Sequence, residues 1–488
     1  MNSEFDVIVI GAGINGAGIA RDAAMRGLKV LLIDKSDIAS GTSSASTRLI
    51  HGGLRYLEHF EFGLVRESLR ERETLLRIAP HLVRPLPITI PIYKHSQRGP
   101  VTIRAGMIVY DLLSFTKSLP RHRMLSRRET LKQLPGLNPE GLLGSALYFD
   151  AQVEFAERLV LENVVAAHER GAEVYTYAPV TNLIVENEKV TGIEYGQKQI
   201  ARASVIVNAS GPWVDYLLDE VPFESPKLIR GTKGSHVVVA PFAGAPANAI
   251  YLEAESDKRP FFIISWNENY LIGTTDVRFE DNPDQVRSEL WEIDYLLDET
   301  NRTFPNARLT RDHVLYTYSG VRPLPATGEK NEQSITRRHF IREHPRLSNL
   351  LSIVGGKLTT YRSLAEECVD LIFRKLGRPS PACATAKEVL PGGGNFASFA
   401  AEFTGPTRLL RVYGSRANQV TQLNEDPLTS EILFAFKHEF AKTLDDCFLR
   451  RTMIGLNPVF IRESPWLISF AQEILERSVS EACEPTER

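Results

Sequence analysis

Cysteine is scarce. The 488 residues hold four, Cys368, Cys383, Cys447 and Cys483, all in the C-terminal quarter and none in Cys-x-x-Cys spacing. That excludes a disulfide framework and a thiolate metal centre, so reduced thiols in a reducing compartment and no metal are expected. Long apolar runs are missing too. None reaches the ~18–20 residues of a membrane-spanning helix. The first residues enter an apolar strand almost at once, so no secretory leader is read there. A basic excess is also absent: 57 Lys and Arg stand against 60 Asp and Glu, a formal net charge of −3. Nucleic-acid binding would favour the opposite balance. Internal repeats and low-complexity tracts are not seen. These absences leave a cytoplasmic protein, free or peripheral on the inner face of the cell membrane.

What is present is an ordinary globular composition, 43% hydrophobic, on a chain long enough for two or three domains. The most informative stretch comes first. Phe5 to Ile10 is an apolar strand that runs into Gly11-Ala12-Gly13-Ile14-Asn15-Gly16, then a helical pattern, then Lys29 to Ile33 and Asp34. Gly11 permits a tight turn, Gly13 lets a pyrophosphate approach the backbone, and Gly16 allows close helix–sheet packing. The helix N-terminus turns free N–H groups and a positive dipole end toward the phosphates. Asp34 can accept from ribose hydroxyls and repels a 2′-phosphate. FAD and NAD share this fingerprint, so the unit alone does not separate them.

Further along, a small-residue loop at Ser40 to Thr47 leads into His51-Gly52-Gly53-Leu54-Arg55-Tyr56. Pro80 to Pro91 reads as a proline-rich crossing to a second domain, and Gly144 to Phe155 as the return. Val174 to Val207 reads as a meander of short strands ending at Asn208-Ala209-Ser210-Gly211-Pro212-Trp213. Ile229 to Thr317 alternates as an antiparallel sheet does. Leu351 to Val354, Gly355-Gly356 and a helix from Lys357 onward form a second strand–glycine–helix unit. Its dipole can face a flavin, with Thr359 or Thr360 as extra donors. Leu390-Pro391-Gly392-Gly393-Gly394 reads as a linker to a separate helical domain.

Four cations recur in distinctive settings: Arg55, Arg322 in Ser-Gly-Val-Arg-Pro-Leu, Arg337 and Lys357. Arginine forks match phosphate oxygens bidentately, and lysine adds a point charge. Together they suit a phosphate ester; singly, each reads as well as a surface or ion-pairing residue. His51 and His236 are the candidate bases. The apolar stretch Gly106 to Phe115, ahead of Lys117, Arg121, His122, Arg123, Arg127 and Arg128, fits an anionic membrane surface or a substrate-domain helix with a solvated basic loop.

Taken together these motifs resemble the FAD-dependent (aerobic, respiratory) glycerol-3-phosphate dehydrogenases. The carrying stretches are Gly11 to Gly18, Ser43 to Glu58, Asn208 to Trp213, Lys233 to His236, Ile272 to Asp276, Tyr318 to Leu324 and Gly355 to Arg362. Asp34 stands where that family more often has Glu. The resemblance implies an α/β fold with three parts. A Rossmann-like FAD-binding domain (D-amino-acid-oxidase-like, glutathione-reductase-type) would be discontinuous over 1–85, 144–228 and 318–380. An antiparallel substrate-binding domain would take 86–143 and 229–317, and a C-terminal helical cap 390–488.

For the cofactor the resemblance implies Gly11, Gly13, Ile14, Asn15 and Gly16, then Asp34 and Lys35. The small-residue loop adds Thr42, Ser43, Ser46 and Thr47, followed by Gly52 and Gly53. Val180, Ala209, Gly211, Trp213 and Thr275 complete one side, and Gly356, Lys357, Leu358 and Thr359 the flavin end. Arg55, Tyr56, Arg322, Arg337 and Lys357 would hold the substrate, with His236 lining the same pocket. His51, His236, Arg322 and Lys357 would carry the chemistry. The implied reaction oxidises sn-glycerol 3-phosphate to dihydroxyacetone phosphate. A histidine takes the C2 hydroxyl proton, hydride passes to flavin N5, and electrons go on to a membrane quinone. A homodimer is admitted. The competing readings are an oxidase that uses oxygen, an amine or amino-acid oxidase on the same fold, and a non-catalytic flavin-binding module.

Overall fold

The computed structural model describes residues 4–114, 117–326 and 336–483, with side chains up to 476. Phe115 and the Cys483 side chain lie outside the described residues. Two sheets organise the chain. In the first, Phe5–Ile10 is central and parallel to Val30–Ile33 on one side and Gln199–Asn208 on the other. Glu173–Tyr175 and Leu350–Val354 extend it in parallel, and Phe340–Glu343 closes one edge antiparallel. Phe5–Ile10, Val30–Ile33 and Leu350–Val354 are buried on both faces, as parallel strands covered by helices must be. The helix Ile14–Met25 is buried nearly all round. Its small residues let neighbours approach: a Cβ at Gly18 would stand 2.7 Å from the Tyr361 ring.

The second sheet has ten strands, almost all antiparallel, including Thr232–Val239, Pro260–Trp266, Asn269–Gly273 and Val314–Arg322. Here the structure corrects two sequence expectations. Val83–Tyr93 is not a bare crossing but an eleven-residue strand, paired along its length with Leu142–Val153. Pro85, Pro87 and Pro91 stand at alternate positions. Their missing N–H groups therefore face one side, and the other side keeps its ladder. Gly144 to Val153 thus belongs to this second sheet, and the return to the nucleotide layer is made by the helix Ala156–Glu169, which packs on Ile14–Met25. The expected boundaries 85/86, 143/144 and 317/318 fall inside strands.

Two further expectations change. The late helix starts at Tyr361, not Lys357; residues 357–360 form a turn closed by Thr360 N–H donating to Lys357 O at 3.1 Å. Gly355 and Gly356 do have positive φ, +74° and +96°, as the strand exit requires. Leu390 to Gly394 is a close-packed joint, not a free tether. A Cβ on Gly392 would stand 2.5 Å from His81 Nε2 and 2.6 Å from Tyr413 O. The helical C-terminal part is fastened to the nucleotide layer by buried ion pairs. Arg158 meets Glu439 at 2.5 and 2.9 Å, and Arg451 meets Asp37 at 2.6 and 2.8 Å.

Candidate active site

At the C-terminal edge of the parallel sheet lies a cleft of about 1050 Å³. That is where an open α/β sheet binds its ligand. Gly11 has φ +108°, and a Cβ there would stand 2.6 Å from Ala209 O. A Cβ on Gly16 would sit 1.8 Å from Gly11 O, so this glycine is what lets the helix meet the strand. At Gly13 an added Cβ would meet only Ser43 Oγ, at 3.3 Å, and would point into open cleft. Gly11 and Gly16 thus serve the tight turn and the close helix–strand packing, and Gly13 leaves space at the cleft.

Ile14, Asn15, Asp34, Lys35, Thr42, Ser43, Ser46, Val180, Ala209, Gly211, Trp213, Gly356, Lys357 and Leu358 line the same cleft. Ser43 Oγ accepts from Ile14 N–H at 3.0 Å. Asp34 has a structural use besides the expected one. Its two oxygens accept from the backbone N–H groups of Ala12 (2.6 Å) and Ser36 (2.8 Å), and burial raises its pKa. Its carboxylate first shapes the loop; any ribose contact shares an oxygen already engaged. Lys35 pairs with Asp284 at 2.6 Å and lies 4.2 Å over the Trp213 ring.

Whether a dinucleotide fits can be tested on polar atoms. Asn15 Oδ1 and Trp213 Nε1 are buried at the cleft and have no partner among the described residues. Placed along a cavity of dinucleotide size that Gly13 also lines, they suit FAD. The remaining expected residues lie behind the lining. Thr47 Oγ1 meets His236 Nε2 at 3.0 Å, and Thr359 Oγ1 accepts from His51 N–H at 3.2 Å. Gly52 N–H reaches Tyr110 Oη at 2.9 Å, and Thr275 Oγ1 donates to Glu292 at 2.7 Å. Gly53, with φ +75°, gives the Tyr56 ring its room.

The cationic residues converge at the Lys357 end. Asp276, to which no sequence motif gives a role, bridges two of them: Arg322 Nη1 donates to Oδ1 at 3.1 Å and Arg337 Nη2 to Oδ2 at 3.2 Å. Arg322 also donates to Thr274 Oγ1 at 3.0 Å, in a seat that exists because Gly234 lacks a side chain; a Cβ there would stand 2.2 Å from Arg322 Nη2. Arg337 Nη1 is buried with no partner among the described residues. Lys357 Nζ lies 3.8 Å over the Tyr56 ring and 3.4 Å from Ser68 Oγ. Burial pushes its pKa down to about 7, against the pull of Glu61 and Glu67, with Arg337 pushing the same way as burial. Burial raises the Tyr56 phenol, against the combined field of Arg337, Arg55 and Arg322.

Both histidines are held neutral. Burial takes His51 down to about 4, with Lys357 and Arg72 adding to the effect and Asp150 opposing it. Burial, with Arg322 and Arg48, holds His236 well below its ordinary value. The His236 ring stacks on Tyr318 at 4.8 Å. Arg48, another residue without a sequence signal of its own, lies at the cleft in a buried pair with Glu157, 2.7 Å on each arm.

Sequence and fold comparisons agree with this geometry. The FAD dependent oxidoreductase family matches residues 6–370. A glycerol-3-phosphate dehydrogenase of Synechocystis sp. is 48% identical over 93% of this chain and 90% of its own. An aerobic glycerol-3-phosphate dehydrogenase of Escherichia coli is 40% identical over 96% and 98%, and a D-erythritol 1-phosphate dehydrogenase of Brucella abortus 38% over 92% and 94%. The structure of a glycerol-3-phosphate dehydrogenase from Bacillus halodurans, complexed with FAD, superposes with a TM-score of 0.78 at 29% identity, covering 97% of this chain and 91% of that one. The chain belongs to the FAD dependent oxidoreductases, and within them to the FAD-dependent glycerol-3-phosphate dehydrogenase family, with FAD as its cofactor.

Proposed function

We propose that the chain oxidises sn-glycerol 3-phosphate to dihydroxyacetone phosphate and passes the electrons to a membrane quinone. One observation carries the substrate: Arg322, Arg337 and Lys357 meet at the Gly356–Leu358 end of the dinucleotide cleft, around Tyr56. FAD, when bound, supplies a ring whose N5 accepts a hydride. The chain's own residues do the rest. Arg322 and Arg337, splayed by Asp276, present N–H donors to a phosphate dianion. Lys357 adds a charge at the boundary between phosphate and flavin end. His51 and His236 both start in the proton-accepting form, so the C2 hydroxyl proton has an imidazole to go to while the C2 hydride leaves. The burial that keeps them neutral also excludes water from the alcohol.

The deciding experiment is an anaerobic titration of the purified holoprotein with sn-glycerol 3-phosphate, watching flavin absorbance. Stoichiometric bleaching is expected, followed by recovery on adding a soluble quinone. No bleaching rejects the substrate. Bleaching by erythritol phosphate alone shifts it to the longer polyol, and stoichiometric peroxide under air without quinone reduction makes the chain an oxidase.

The helix Pro100–Leu113 supports the membrane part of the reading. Met107 and Tyr110 are buried on its inner face, while Val101, Ile108 and Leu112 lie on the outer face, 83%, 46% and 67% exposed. Phe60, in the contacting segment after Leu54–His59, is 79% exposed. Lys117 and His122 are spent on Asp111, whereas Arg121, Arg123, Arg127 and Arg128 are exposed. Such a surface lies on a bilayer rather than through it, and no helix among the described residues is long and apolar enough to cross one. The double variant Ile108→Glu, Leu112→Glu is expected to abolish co-sedimentation with anionic vesicles and leave turnover with a soluble acceptor within about twofold. Unchanged sedimentation would refute this surface.

A further inference from the structure

The family match ends at residue 370, yet the chain beyond it returns to the cofactor cleft. Leu449, Arg450, Gly455, Leu456 and Pro458 face the same cavity as Gly13 and Asp34. Neither the glycine pattern nor the helical periodicity of the C-terminal part points to these residues. They sit on and just after a π-helical turn, Asp446–Arg451, a local distortion that recurs at functional positions.

This segment is latched at both ends. Asp37, three residues beyond Asp34, receives three bonds from it: two from Arg451, at 2.6 and 2.8 Å, and one from Arg450 Nε, at 2.5 Å. The second Arg450 arm donates to Asp446 at 2.7 Å, and Tyr177 Oη donates to the same carboxylate at 2.5 Å. At the far end Tyr316 Oη donates to Leu456 O at 3.0 Å. Asp37 belongs to the loop leaving the second strand of the nucleotide unit, and Tyr316 to a strand of the other sheet. The segment 446–458 therefore spans from one sheet to the other across the open side of the cleft.

We infer that this C-terminal segment is a wall of the FAD site and governs cofactor retention: Leu449 and Leu456 cover the bound dinucleotide with apolar surface, Arg450 faces it with its charge, and FAD leaves only when the Asp37 and Tyr316 latches open. The inference rests on the FAD assignment and adds to it residues outside the nucleotide fingerprint. Arg450 is suited to a cofactor-facing role because its bonds to Asp37 and Asp446 fix its direction without fully burying it, its side chain being 15% exposed.

The test is the rate of FAD release from full-length holoprotein, followed by the rise of flavin fluorescence on dilution. The double variant Arg450→Gln, Tyr316→Phe keeps the buried Arg451–Asp37 pair. It is expected to release FAD about tenfold faster or more, a change of about 1.4 kcal/mol or more in the release barrier. The gain in melting temperature on adding FAD should shrink, over and above any fall in the apoprotein midpoint that the lost bonds cause. Arg411→Gln serves as the control. It breaks an ion pair that joins the C-terminal part to Glu154 and shares no bond with Asp37, Asp446 or Leu456, and should leave release unchanged. Equal release in wild type and double variant overturns the inference, as does an equal acceleration by Arg411→Gln, which would mean general loosening of the domain. A wild-type protein that takes up no FAD would instead overturn the cofactor assignment.

Discussion

Replacing Arg322 with alanine is expected to lower kcat/KM for sn-glycerol 3-phosphate by about 10²–10³-fold, the ~2–5 kcal/mol that a desolvated, hydrogen-bonded charge pair carries when one member is removed. The guanidinium is preset. Asp276 fixes one arm at 3.1 Å and Thr274 the other at 3.0 Å, and glycine at 234 leaves the space that both need. Ordering this side chain therefore costs the substrate little. The loss should fall mainly on KM, because the phosphate is the same in ground and transition states, and competitive inhibition by inorganic phosphate should weaken in parallel. Lysine at 322 should recover only a small part, having no planar fork to share between Asp276 and a phosphate. Steady-state kinetics at matched flavin content checks this. Turnover of a phosphorylated alcohol that survives Arg322→Ala unchanged would move the phosphate site elsewhere.

A second large effect concerns pH. Lys357 sits at about 7 in the free enzyme, its charge disfavoured chiefly by burial. Below pH 7 it is an ammonium that attracts the substrate; above pH 7 it is a neutral amine. kcat/KM, which reports the free enzyme, should therefore fall about tenfold per unit as pH rises through 7. On the acid side it should fall as the phosphate ester gains its second proton near pH ~6. The profile is a narrow bell. Lys357→Arg, always charged, should remove the alkaline limb, and Lys357→Met should leave a low rate with no limb near 7. The sign for stability follows from the same shift. An unfolded chain holds this proton up to the ordinary lysine range and the folded one only to about 7, so this group's contribution to stability rises with pH between those values. A flat wild-type profile from pH 6.5 to 8.5 would contradict the buried placement of Lys357, which has no carboxylate in an ion pair with it among the described residues.

How much of this was legible beforehand depends on whether local chemistry or packing decides. Gly11, Gly13 and Gly16 were readable because a phosphate turn constrains backbone dihedrals and atomic radii at fixed spacing. The Gly355-Gly356 exit was readable for the same reason. The helix after it was placed four residues early, because the turn at 357–360 is held by a distant partner, His51 N–H on Thr359, that no spacing encodes. The strand Val83–Tyr93 was hidden by its prolines, whose alternate placement acquires meaning only once the pairing edge is known. Arg55, Arg322, Arg337 and Lys357 were named on their residue type, but their assembly depends on Asp276, a single carboxylate after a strand end. A weak signal existed there, since an acid beside proposed anion binders must be paired with something. The wall at 449–458 had none. Helical periodicity tells which face is apolar, not what it covers.

The order of strands in the first sheet has a temporal consequence. Phe5–Ile10 is made well before its lateral neighbour Gln199–Asn208, and the next strand beyond that is Leu350–Val354. The glycine turn that opens the chain thus waits for some two hundred residues before its strand is flanked on both sides, and for about three hundred and fifty before that side of the sheet extends further. Pairings of such sequence separation are slow and expose apolar edges meanwhile. Residues 446–458 arrive later still, when the rest of the cleft has been translated. During synthesis there is accordingly an interval in which the nucleotide site is built but uncovered, and a nascent chain can take up its flavin before residues 446–458 are made.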